Sequence, residues 1–170
     1  MKVGEDDARY AIENIAQTAQ ITAYDIRYGW GARDGIGSGY DLGELDGTLG
    51  SMFKLMPSAI NVALFRPYLW EVQNPLMFLA AIESFFILVL ALVVLYKTRV
   101  IEIFKVGTKP IVFFCLAFSL VFAFAVGIST FNFGTLMRYK IPMMPFFLAA
   151  LLVILSLIHI SEPTRLRRIS

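Results

Sequence analysis

Residues Asn74 to Tyr96 read "NPLMFLAAIESFFILVLALVVLY", an almost unbroken apolar run with a single charge, Glu83. About 20 mostly apolar residues in a helix cross a bilayer core, so this run predicts a transmembrane helix. It opens with a proline at a first-turn position, where a missing N–H costs nothing. Residues 110–129, "PIVFFCLAFSLVFAFAVGIS", hold no charge at all, and a third run begins at Ile141 with "IPMMPFFLAALLVIL" and is taken to residue 157. The expected fold class is an all-α membrane protein with about three transmembrane helices, at 74–96, 110–129 and 141–157.

Composition agrees with that reading. Hydrophobic residues make up 58% of the 170 positions, and mean hydropathy is +0.69. A soluble domain of this size could not hide so much apolar surface. The formal net charge is only +2, and no nucleic-acid partner is expected. Ten of the thirteen carboxylates lie before residue 72, which separates a polar amino-terminal third from an apolar remainder. The single cysteine, Cys115, sits inside an apolar run, so the chain can form neither an internal disulfide nor a cysteine metal site. No metal site and no cofactor are expected.

Residues 1–73 are read as an external segment of amphipathic and glycine-rich character. From Asp6 to about Arg27, apolar residues recur at three-to-four spacing (Ala8, Ile12, Ile15, Ala19, Ala23, Ile26), with Asp6 and Asp7 at the helix start. Eight of the twelve glycines then fall within residues 29–50, in "YGWGARDGIGSGYDLGELDGTLG" from Tyr28 onward. Their spacing matches no phosphate-binding pattern, and the acids among them (Asp34, Asp41, Glu44, Asp46) read as a solvated loop. Met52, Leu55, Met56, Ala59, Ile60 and Ala63 form one apolar stripe opposite Lys54, Ser58 and Asn61. This predicts a helix along the membrane surface, kinked or restarted at Pro57. Tyr68 and Trp70, one turn before the first span, fit an interfacial aromatic anchor.

The last residues of the chain are expected to differ in origin from the rest. Leu155 to Arg165, "LSLIHISEPTR", resembles the conceptual translation of the transposon adapter used in sequencing-library preparation. Residues 155–170 are therefore expected to be an artefactual tail, leaving 74–154 as the transmembrane region of a longer polytopic protein. The remaining helices of that protein are among the expected partners. On this reading His159 and the basic "RLRR" carry no function.

The loop between the first two spans holds Lys97, Arg99, Lys105 and Lys109 against one acid, Glu102. The positive-inside rule places residues 97–109 in the cytoplasm and residues 1–73 and 130–141 outside. Glu83 lies about 13 Å into the first span, near mid-bilayer, where a carboxylate must be protonated, paired or turned to a polar cavity. It is either a buried acid or substrate contact, or one half of an interhelical pair. Arg138 and Lys140 sit at the mouth of the third run, where they can remain solvated at headgroup level and either bind lipid phosphate or anchor a helix end by snorkelling.

"GTLMRYKIPMMPFF" (Gly134 to Phe147) resembles the Arg-Tyr-x-x-Pro-x-x-Pro entry to a late transmembrane helix in bacterial polytopic glycosyltransferases that use lipid-linked sugars, the GT-C architecture. "LFRPYLWEVQNPLMFLAAIES" (Leu64 to Ser84) is similar to a segment of membrane proteins of surface-polysaccharide biosynthesis. The resemblance covers roughly residues 60–154. It implies a multi-pass protein of the bacterial inner (plasma) membrane that acts on a polyprenyl-phosphate-linked sugar, with Arg138 and Lys140 meeting the carrier's phosphate. The alternatives are a non-catalytic polysaccharide export or polymerase component and a structural membrane subunit. The family's catalytic acid has no recognisable counterpart in these residues.

Overall fold

The computed structural model describes residues 14–25, 39–43, 45–97 and 109–166, with side chains described as far as Leu157. Within them the regular structure is α1 (Ile15–Tyr24), α2 (Leu49–Phe65), a 3-10 turn (Leu69–Glu71), α3 (Pro75–Lys97), α4 (Pro110–Thr130), α5 (Phe133–Tyr139) and α6 (Met144–Leu166). One isolated antiparallel bridge joins Gly39 to Asn132. The chain is an all-α membrane protein. α3 and α4 are each long and apolar enough to cross a bilayer, and the broken pair of α5 and α6 makes a third if it is one span.

The starts of the two continuous spans follow from their sequence. The Asn74 side chain accepts the Met77 N–H at 2.8 Å and its carbonyl accepts the Phe78 N–H at 3.1 Å. Asn74 is thus an N-cap, and Pro75 takes the first helical position, where no N–H is needed. Pro110 stands likewise at the start of α4, with the Lys109 carbonyl accepting the Phe113 N–H at 2.9 Å.

The third run departs from expectation. Residues 140–143 form a turn, α6 begins at Met144 instead of Ile141, and α5 occupies part of what was expected to be a loop. Pro142 disfavours a helical Ile141, and Pro145 lacks the N–H a continuous helix would use. The turn closes on the Lys140 carbonyl, which accepts the N–H groups of Met143 (3.1 Å) and Met144 (3.3 Å). α6 runs past residue 157 to Leu166, through the whole of the adapter-like stretch Leu155–Arg165.

The chain divides into two compact units, one of residues 1–63 with 123–139 and the other of 64–122 with 140–170. In the first unit, the apolar stripe of α2 is covered at its centre by protein: Ala59 and Ala63 are wholly buried, and Lys54, Ser58 and Asn61 point outward. Their cover includes the last turns of α4. A Cβ on Gly127 would meet the Ala59 carbonyl oxygen and would lie 2.7 Å from its carbonyl carbon and 3.0 Å from its Cα, so only glycine permits this approach. Phe53 and Phe124 stack beside it, ring centroids 6.2 Å apart. Pro57 is carried inside α2 without ending it. Thr48 starts the helix, its carbonyl accepting the Ser51 hydroxyl (2.8 Å) and the Met52 N–H (3.3 Å).

Tyr40 fixes the described part of the glycine-rich segment to the end of α4. Its hydroxyl reaches the Gly127 carbonyl (2.9 Å) and the Thr130 hydroxyl (2.6 Å), and its N–H donates to the Phe131 carbonyl (3.1 Å). Its ring packs between those of Phe131 and Phe133. Asp41 accepts the Gly43 N–H at 2.8 Å and closes a tight turn in which Gly43 takes φ +108°, a conformation that glycine alone adopts freely. Asp6, Asp7, Asp34, Glu44 and the 98–108 loop lie outside the described residues.

In the second unit, α3 packs against α6 and turns inward Met77, Ala80, Ala81, Ser84, Ile87, Ala91 and Val94. The spacing is that of a helix–helix seam, and its small residues let backbones approach closely where lipid offers no hydrophobic drive. Phe118 of α4 meets Phe146 of α6 at 4.7 Å between centroids, flanked by Phe114 and Phe122.

Candidate functional site

The polar residues of the second unit converge on the segment between α2 and α3. Arg66 forms a two-pronged ion pair with Glu71: Nε donates to Oε2 at 3.0 Å, and Nη2 pairs with Oε1. Glu71 Oε2 also accepts the Tyr68 N–H at 2.9 Å, so the carboxylate closes the first turn of the 3-10 segment on itself. Trp70 is exposed and stacks on Tyr68, centroids 4.8 Å apart, and the Arg66 guanidinium lies 5.9 Å from the Tyr68 ring centre. A rigid aromatic and charged knot therefore precedes the first span, with Trp70 placed as an interfacial anchor requires.

From this knot a chain of hydrogen bonds enters the apolar region. The Ser84 hydroxyl, in the middle of α3, donates to the Arg66 carbonyl at 3.2 Å. It accepts in turn from Lys140 Nζ at 2.9 Å. Ser84 is wholly buried, and Lys140, at 2% exposure, is the largest fully buried side chain among the described residues. Glu83, the neighbouring residue on α3, is exposed and adds the attraction of its charge to Lys140, but makes no hydrogen bond among the described residues.

The Lys140–Ser84 bond also sets a depth. Ser84 is nine residues beyond Pro75, about 13 Å along α3. An extended lysine stem and its hydrogen bond span most of that distance, so the bond places the ammonium at this depth while the backbone of residues 140–143 lies nearer the level of the helix start. Non-helical backbone next to a membrane core persists where protein covers it. Met143 is wholly buried, and its carbonyl accepts the Ser119 hydroxyl at 3.4 Å, a group that also bonds back to the Cys115 carbonyl at 2.7 Å. The expectation that Lys140 stays solvated at headgroup level is thereby corrected: its ammonium is internal, and its partner is a hydroxyl of the first span.

Arg138 behaves differently. It lies in the last turn of α5, in the other unit, with an exposed side chain, and its charge complements the carbonyl end of that helix. The two cations that the sequence sets side by side are thus one exposed and one buried.

Sequence reasoning missed three members of this network. Ser84, Arg66 and Glu71 drew no individual reading, since only Tyr68 and Trp70 of that segment were singled out, although a five-residue spacing across a proline turn suits an ion pair between Arg66 and Glu71. No protein family, curated protein or solved structure matches this chain.

Proposed function

We propose that this chain is part of a polytopic protein of cell-envelope polysaccharide biosynthesis, a glycosyltransferase that uses a lipid-linked sugar in the inner membrane, with residues 97–109 on the cytoplasmic side. In this reading Arg138 contacts the phosphate of the polyprenyl carrier, and Lys140 holds the helix break in place without touching the lipid. The observation that carries it is the division between the two cations: an exposed guanidinium two residues before a break that a buried ammonium pins to α3. A guanidinium offers paired planar donors that match phosphate oxygens, which an ammonium does not.

The test is sugar transfer, or complementation of polysaccharide synthesis, normalised to membrane-inserted protein. Arg138→Lys keeps the charge and loses the paired donors, and is expected to weaken binding of the lipid donor about ten- to a hundredfold. Lys140→Arg is expected to lower the amount of inserted protein while leaving the affinity of what remains unchanged, because the larger guanidinium must fit a filled interior. Carrier binding without transfer assigns the chain to the non-catalytic export or polymerising components. Wild-type activity for Arg138→Ala at normal abundance leaves Arg138 a plain helix-end cation and removes the reading.

A further inference from the structure

Between Pro75 and Leu95 the exposed face of α3 carries one polar side chain, Glu83. Leu76, Leu79, Glu83 and Phe86 follow one another at spacings of three, four and three residues, and all four are exposed. Glu83 is eight residues beyond Pro75, about 12 Å along the span. Its immediate neighbour Ser84, a quarter turn round the helix, is buried in the protein and takes the hydrogen bond of Lys140. Lys140 therefore supplies a field behind the carboxylate but no hydrogen bond to it, and the carboxylate accepts none from any described residue. A carboxyl group in this position finds no hydrogen-bond partner among acyl chains, and in its charged form it requires a donor that hydrocarbon does not offer.

We infer that this stripe docks a transmembrane helix supplied from outside this chain, and that the partner helix presents a hydrogen-bond-donating side chain to Glu83 at mid-bilayer depth. The three-four spacing gives the contact a helix seam, with Leu79 and Phe86 packing one turn above and below the polar contact. Charge complementarity favours such a partner over a second copy. A parallel pair of this chain would bring Glu83 against Glu83, and one carboxyl would first have to take up a proton before it could donate to the other, whereas a lysine, asparagine or glutamine on a partner supplies the donor directly.

The experiment places the full chain, labelled outside the membrane region, in phosphatidylcholine vesicles with dye-labelled model peptides. One peptide is a polyleucine transmembrane helix with a single central lysine, a second has a central glutamine, and a third is leucine throughout. Energy transfer at low peptide-to-lipid ratio reports association. The lysine and glutamine peptides are expected to associate and the all-leucine peptide not to. Glu83→Leu is expected to weaken that association roughly tenfold, the scale of one interhelical hydrogen bond. Glu83→Gln is expected to keep it, because the amide still accepts. Glu83→Leu also removes a charge from a span, so its insertion is not at risk. The inference is overturned if the all-leucine peptide binds equally well, if Glu83→Leu changes nothing, or if labelled copies of the chain associate with one another through this face in preference to the peptides.

Discussion

Replacing Gly127 with alanine tests the close approach of α4 to the backbone of α2. The added Cβ would sit 2.7 Å from the carbonyl carbon of Ala59 and 3.0 Å from its Cα, nearer still to the oxygen, and all three are main-chain atoms of α2. No rotamer change relieves such a contact, so α2 and α4 must move apart by roughly 1 Å, and inserting one carbon into a filled interior costs about 1–3 kcal/mol. The obstruction is backbone, which argues for the upper half of that range, and alanine returns up to about 1 kcal/mol through its helix preference. A net loss of about 1–2 kcal/mol remains, which for a chain of this size lowers the melting temperature by roughly 2–8 °C. Cys115, the sole cysteine, is buried in the same helix, so a thiol-reactive dye in detergent micelles reports the transition. Two variants sharpen the reading. A Cβ added to Gly50 in α2 would meet nothing within 4 Å, so Gly50→Ala is expected to raise the melting temperature slightly. Ala59→Gly added to Gly127→Ala is expected to restore nothing, because the clash is with atoms that every residue possesses. A Gly127→Ala protein that melts at or above the wild-type temperature would refute the argument.

Tyr40→Phe removes the hydroxyl that reaches Gly127 and Thr130 and is expected to cost about 1 kcal/mol, with faster amide exchange at Tyr40 itself as the local readout. Ser84→Ala is expected to be worse than Lys140→Met: the first leaves a buried ammonium without its acceptor, at about 1–3 kcal/mol, while the second removes the charge and fills its space with an apolar side chain. Quantitative blotting of membrane fractions orders the two, and equal levels would speak against an internal, hydrogen-bonded Lys140. Amplifying the locus from source DNA and sequencing across codon 155 is expected to show a coding sequence that diverges from "SLIHISEPTR"; recovery of that string in the genomic read removes the adapter reading.

What was legible in the sequence is what depends on neighbours along the chain. The runs opening at Pro75 and Pro110 became helices whose starts fall where cap chemistry places them. The apolar stripe of α2 was legible too, because a helical period is a local property, although its cover by α4 was not. The broken third run was half legible: Pro142 and Pro145 announced irregular backbone, but the bond that ties the break to α3 goes to Ser84, 56 residues earlier. Tyr40 lay hidden for the same reason. An aromatic residue among glycines carries no mark of the carbonyl and hydroxyl it will meet about ninety residues later. Charge alone put Arg138 and Lys140 in one class, and only burial separates them.

The bond between Lys140 and Ser84 has a consequence for the order of events during synthesis. At about 5–20 residues per second, the 56 residues between the two take roughly 3–11 s to translate. Through that interval α3 is already available to enter the bilayer while the residue that will occupy its hydroxyl has yet to be made. When Lys140 emerges, its ammonium can leave water only by finding Ser84, so the third run cannot settle until the first is in place. Settling of α6 is thereby conditional on the fate of α3. A ribosome that produced α5 and α6 without α3 would release a segment with a cation at its break and no acceptor within the membrane to receive it.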